Sequence, residues 1–204
     1  MYNVSVVMGL VDYIPVLFFG IGALFLLRDL YDKMGKGAFA LFAAGTIDIF
    51  LAGTLKATWK LLYAAGLCDF EVFNSMFLPL QSIGFIMAGL GLIIMLSSRR
   101  KNAMLAVVPP VFSGSLIFIM MMVFGLGAIC TCLSILAVKM KKKGVMALFI
   151  LAFLCSMCMG GMARLDSTQA WVNWAEQGIN CVGQCLLMSG VLVLHKAGLK
   201  DVEL

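Results

Sequence analysis

Between Ala103 and Val138 the chain runs for 36 residues without a charged side chain, fenced by Arg99-Arg100-Lys101 on one side and Lys139-Met140-Lys141-Lys142-Lys143 on the other. As one α-helix this run would be about 54 Å long at ~1.5 Å per residue. The hydrocarbon core of a bilayer is only ~30 Å thick. The run therefore folds as one overlong, interrupted span or as two short ones, and the choice sets the direction of every later span. No soluble core is available to take it up. The chain is 63% hydrophobic and 12% charged, with a mean hydropathy of +1.06, and soluble domains carry about twice that share of charge. These features predict an all-α, polytopic membrane helix bundle, with residues 1–204 as a single transmembrane domain.

The other apolar stretches run from Tyr13 (reaching back toward Val4) to Leu27, Gly37 to Tyr63, Ser75 to Leu96, Gly144 to Ala163 and Asn173 to Leu194, before a short polar tail. Cytoplasmic loops collect Lys and Arg, which separates the two readings of the long run. As one crossing it makes six helices, and the 15 basic residues divide seven against eight, with no orienting signal. As a hairpin it makes seven helices, and the division becomes twelve against three, the three being Lys56, Lys60 and Arg164. Seven transmembrane helices follow, with the amino terminus outside and the carboxyl terminus cytoplasmic. Six helices, as two inverted triplets, are the alternative. The hairpin would turn near Met120, where Ile117 to Met122 offers no turn residue.

Phe19-Gly20-Ile21-Gly22-Ala23 is echoed by Phe124-Gly125-Leu126-Gly127-Ala128, Ala40-Leu41-Phe42 by Ala147-Leu148-Phe149, and Gly53 by Gly160. The echoes suggest repeat units 1–101 and 118–196, joined by a short linker helix 103–118. Units joined through such a helix are like-oriented, whereas units joined directly are inverted. This 3+1+3 layout is similar to that of small sugar-efflux and vitamin-uptake transporters. The likeness is one of layout, and the Pro-Gln loop dipeptide of one branch of that group is absent.

Polar groups within spans are costly and face the protein interior or a cavity. In the last span Asn173, Gln177, Asn180 and Gln184 follow one another at steps of four, three and four, which lines one helix face. Glu176 flanks that face and Trp174 lies at the same membrane level. Such amides also serve as interhelical glue. Asp48, Lys56 and Lys60 are spaced to share a face of the second span, with Trp59 beside them. Snorkelling to the interface is the plain alternative for the two lysines. Asn74 and Gln81 flank Pro79 in the third span. Arg164 and Asp166 end the sixth helix of the seven-helix reading. Asn173 and Pro79 apart, these thirteen residues are the candidate substrate-binding set, a mixed-charge pocket at the outer side.

Other chemistries lack their residues. The single His195 excludes bis-histidine haem ligation and a His-rich zinc site, and no phosphate loop or nucleophile elbow is present. No cofactor or metal is expected. Cys155, Cys158, Cys181 and Cys185 lie in apolar runs, where Cys packs as a small hydrophobe. Nothing points to nucleic acid, since the basic residues sit at helix ends.

The leading reading is a small integral membrane carrier or solute-binding protein in a bacterial plasma (inner) membrane. Its expected partners are the lipid bilayer and a small polar, anionic or zwitterionic solute entering from the outer face. One alternative is a membrane-embedded enzyme on lipid head groups, with Asp166 and Glu176 as acid and base and Arg164 on a phosphate. The other is a non-catalytic assembly subunit, whose polar stripe docks a second copy or a partner subunit.

Overall fold

A computed structural model describes residues 4–97, 115–162, 165 and 169–202. The helices are α1 (Val6–Val11), α2 (Tyr13–Leu30), α3 (Lys36–Ala64), α4 (Glu71–Ser97), α5 (Ser115–Lys139), α6 (Lys143–Met162) and α7 (Ala170–Lys196). Among the described residues six spans are long and apolar enough to cross a membrane, α1 and α2 together forming the first. The protein is a multi-pass helical membrane bundle.

Local chemistry explains the boundaries. Ser5 caps α1, its hydroxyl accepting from the Met8 N–H at 3.2 Å, as N-cap residues do. The chain is interrupted at Asp12 because Pro15 has no N–H to return to the Val11 carbonyl four residues back. After α3 and α7, Gly66 and Gly198 take positive φ of 66° and 84°, the left-handed cap that glycine adopts without a Cβ clash. After α5 the same role falls to Lys141, at φ 59°. There the Lys142 N–H reaches back to the Ala137 carbonyl at 2.8 Å.

Small residues bring the backbones together. A Cβ added to Gly45 would lie 2.5 Å from Ala88 N and Gly84 O, so α3 and α4 touch backbone to backbone, as membrane helices with small interfacial residues do. A Cβ on Gly125 would lie 2.3 Å from the carbonyl carbon of Phe85, which locks α5 to α4.

These contacts also give direction. Gly84 meets Ile49 and Gly91 meets Phe42, so α4 runs antiparallel to α3. Gly125 meets Phe85 and Gly89 meets Ala128. One cavity joins Phe77 and Gln81 of α4 to Ile119 and Met122 of α5. Thus α5 descends beside α4 in the same sense. Gly183 meets Cys155 and Gly190 meets Phe149, so α6 returns and α7 descends again. The six spans form two sets of three, and each set runs down, up, down. Ser97 ends α4 at one end of the bundle and Ser115 begins α5 at the other.

All described basic loops gather at one end, hereafter the basic end: Arg28, Lys33 and Lys36; Lys139 to Lys143; Lys196 and Lys200. The tail folds back there, with the Lys33 ammonium donating to the Val202 carbonyl and Leu199 fully buried. The apolar core lies in this half too. Phe42, Leu92, Leu133, Phe149 and Val191 come from five helices and are at most 1% exposed.

The structure corrects one expectation and leaves another outside its reach. Met120 lies within α5, which continues unbroken through it, because the glycines that follow are used for packing instead of for a turn. The expected linker 103–118 falls outside the described residues up to 114, and residues 115–118 belong to α5.

Candidate functional site

In the half away from the basic end the helices part around a cavity of about 270 Å³. α7 supplies Glu176, Gln177, Asn180 and Gln184; α3 supplies Lys56 and Lys60; α4 supplies Gln81. Seven of the thirteen residues expected from sequence are thus brought together. The wall between them is apolar, including Phe19, Phe85, Met122 and Leu126.

Four others do not line it. Asp48 is half-buried on α3, off the cavity face. Three steps of four residues carry it roughly 120° around the helix from Lys60, since the helix repeats every ~3.6 residues. The face used instead is Ile49, Gly53, Lys56 and Lys60. Trp59 is buried, and its indole N–H donates to Asp69 Oδ1 at 2.8 Å, tying down the α3–α4 turn. Asn74 is half-buried in the first turns of α4, away from the lining. Trp174 is 43% exposed, the position of an interfacial aromatic. Arg164 and Asp166 lie outside the described residues.

Asp12, missing from the sequence-based set, lines the cavity. Its Oδ2 sits 2.7 Å from Lys60 Nζ, with the two side chains 9% and 12% exposed. The contact is an ion pair without hydrogen-bond alignment at Oδ2. Beside it the Tyr13 and Thr58 hydroxyls bond at 2.7 Å. The signal was present: Asp12 is the only charged residue between Val4 and Leu27, and an ionisable group at membrane depth is itself a functional pointer. Pro15 and Val16 complete this wall.

Lys56 lies in the cavity wall with Nζ 4.0 Å from the centroid of the Phe77 ring, a cation–π contact. Among the described residues neither Lys56 nor Glu176 has an ion-pair partner. Gln177 is 4% exposed, and its Nε2 finds no hydrogen-bond acceptor among the described residues; Gln184 Oε1 is likewise buried without a donor. A buried amide group left unpaired costs about 1–3 kcal/mol.

Toward the basic end the space closes. Leu26, Phe42, Leu133 and Val191 surround only a small apolar void of about 20 Å³. Below them, Asp29, 1% exposed, holds His195 Nδ1 at 2.7 Å through Oδ2. Arg28 Nη2 meets His195 Nε2 at 2.8 Å. One tautomer satisfies both contacts: Nδ1–H donates to Asp29, and Nε2 accepts from Arg28. This link pins the end of α7 to the end of α2.

Among the described residues no three His, Cys, Asp or Glu side chains are grouped as a metal would require, and all seven cysteines are free. No family model, curated protein or solved structure matches the chain.

Proposed function

We propose that the chain is a small membrane carrier that binds a polar solute in the cavity between its two three-helix sets. The observation that carries this reading is the pair of buried polar atoms, Gln177 Nε2 and Gln184 Oε1, that find no partner among the described residues, on two side chains of the cavity wall. A fold seldom leaves such groups unpaired at membrane depth, and a solute that bonds them recovers the loss. Interhelical glue would have paired them to a neighbouring helix.

The surroundings suit a carrier. Both sets contribute to the cavity, and a packed apolar layer separates it from the basic end, so one side is open to solute while the other is shut. The first helix of each set packs on the last helix of the other, α2 on α7 and α5 on α4, as two like-oriented repeats related by an axis along the membrane normal would. Rocking one set against the other would move the opening from one end to the other. By the positive-inside rule the basic end is cytoplasmic and the cavity faces outward.

The test uses full-length protein in lipid nanodiscs and a panel of small metabolites, with thermal stabilisation as the readout. A binder should lose about tenfold in affinity in Gln177→Ala, the worth of roughly one hydrogen bond, and a comparable factor in Asn180→Ala. If both variants fold and bind a confirmed solute as tightly as the parent, the cavity is not its site.

A further inference from the structure

We infer that the solute is a small zwitterion, its anionic group held by Lys56 and its cationic group by Glu176. This rests on the carrier reading of the same cavity and narrows its substrate class.

The charge inventory decides it. Among the described residues the cavity wall carries two cations, Lys56 and Lys60, and two carboxylates, Asp12 and Glu176. From the lysines alone the cavity would be cationic and would suit an anion. Asp12 changes that, because it engages Lys60 at 2.7 Å where both side chains are nearly buried. That pair is internally neutral and fixes the break between α1 and α2 against α3.

What remains among the described residues is one ammonium and one carboxylate, on α3 of the first set and α7 of the second, which attract one another across the cavity without closing to an ion pair. Phe77 steadies the Lys56 ammonium from one side, but an aromatic face leaves its charge and its hydrogen-bond donors available to an anion. Glu176 has no ion-pair partner among the described residues.

A singly charged solute meets only half of this arrangement. A mono-anion on Lys56 leaves Glu176 unmatched and repels it, and a mono-cation on Glu176 does the same to Lys56. In a site of low dielectric each mismatch is strongly unfavourable. A zwitterion compensates both charges and adds none. It also bridges the two sets, which a mono-ion does not. Deeper on α7 the amides of Gln177, Asn180 and Gln184 extend about 12 Å from Glu176 at ~1.5 Å per residue. They offer donors and acceptors without charge, and the floor at Phe19 and Phe85 is apolar. The fitting class has both charges near one end and a short polar or apolar remainder, as an amino acid does.

The experiment compares matched triads on the intact protein in nanodiscs. Glutamine, γ-aminobutyrate, taurine and glycine betaine are each tested beside the mono-anion and the mono-cation left when the opposite charge is removed. At least one zwitterion should raise the unfolding midpoint and bind at least tenfold more tightly than either of its mono-ions. Glu176→Gln should move preference toward the mono-anion and Lys56→Gln toward the mono-cation, each by at least tenfold. The wild-type comparison needs no variant, so a variant that fails to fold leaves the test intact. A mono-ion binding as tightly as its zwitterion, or a panel in which no zwitterion binds, overturns the assignment. If a singly charged or neutral solute binds and Gln177→Ala weakens it, the carrier cavity stands and the zwitterion falls. If no solute of any charge binds, both fall.

Discussion

The Lys60–Asp12 pair gives the sharpest test of how the cavity is held. At 2.7 Å and an effective dielectric of ~20, two unit charges attract by about 6 kcal/mol. Taking both from water offsets most of that. For this reason, apolar replacement of a whole buried pair is often near neutral, while deleting one partner costs about 3–5 kcal/mol. Lys60→Met keeps the stem and removes the ammonium, leaving Asp12 charged in a wall with Phe19 and Ile49. We expect a loss of about 3 kcal/mol or more, which for a chain of this size lowers the unfolding midpoint by roughly 6–12 °C. Asp12→Asn strands Lys60 and should cost a similar amount. The double variant leaves no orphaned charge and should lie within about 4 °C of the parent, a loss of at most about 2 kcal/mol where the single losses sum to about 6, hence a coupling of about 4–6 kcal/mol. Intrinsic tryptophan fluorescence during heating reports this directly, since Trp59 is buried next to Lys60. Additive losses in the double variant, or a Lys60→Met midpoint within about 2 °C of the parent, would refute a coupled buried pair.

Three further outcomes follow from packing and connectivity. Gly125→Ala forces a Cβ to within 2.3 Å of the Phe85 backbone and should destabilise by about 3 kcal/mol. Gly178→Ala meets nothing within 4 Å and should be neutral or stabilising by up to about 1 kcal/mol; equal midpoints for the two variants would contradict the α4–α5 contact. Lys141→Gly relieves a side chain held at φ 59° and should stabilise by about 0.5–1 kcal/mol, with no gain in the midpoint counting against the left-handed cap. In a cysteine-free background, a membrane-impermeant thiol reagent applied to cells should modify Leu67→Cys and spare Gly35→Cys, Met140→Cys and Lys200→Cys. Labelling of Met140→Cys together with Leu67→Cys would refute two like-oriented sets.

Much of the fold was legible because a bilayer demands long apolar segments. The segment from Gly37 to Tyr63 became α3, Lys36–Ala64, and Ser75 to Leu96 became α4, Glu71–Ser97, which starts earlier at Glu71. The caps at Gly66 and Gly198 were readable for the same kind of reason: glycine after an apolar run marks a left-handed exit. Lys141 was not, because a lysine there signals membrane topology and gives no conformational hint. Charge distribution carried direction further than local pattern did. In the twelve-to-three division every described member of the twelve lies at the basic end, and Lys56 and Lys60 lie at the other. No local rule supports a turn near Met120, since nothing between Ile117 and Met122 breaks a helix; that expectation followed from dividing a length in half.

The site shows where spacing suffices and where it fails. On α7 the four-three-four spacing of Asn173, Gln177, Asn180 and Gln184 follows the true helical period. Its last three members face the cavity, while Asn173 is buried beside them. On α3 a row of fours was extended over three turns, and the drift of each step turned Asp48 away from Lys60. A single helix face is therefore predictable from its own sequence, but the charge of a cavity is not. That charge is a sum over helices whose rotations are set by neighbours. Asp12 reaches the cavity because a Cβ on Gly9 would come within 2.8 Å of the Leu61 Cα, which draws α1 onto α3 and turns the break at Asp12 toward Lys60. The residue that converts a cationic cavity into a balanced one is thus positioned by a glycine three residues before it and a leucine 49 residues after it. Neither carries any chemistry of its own.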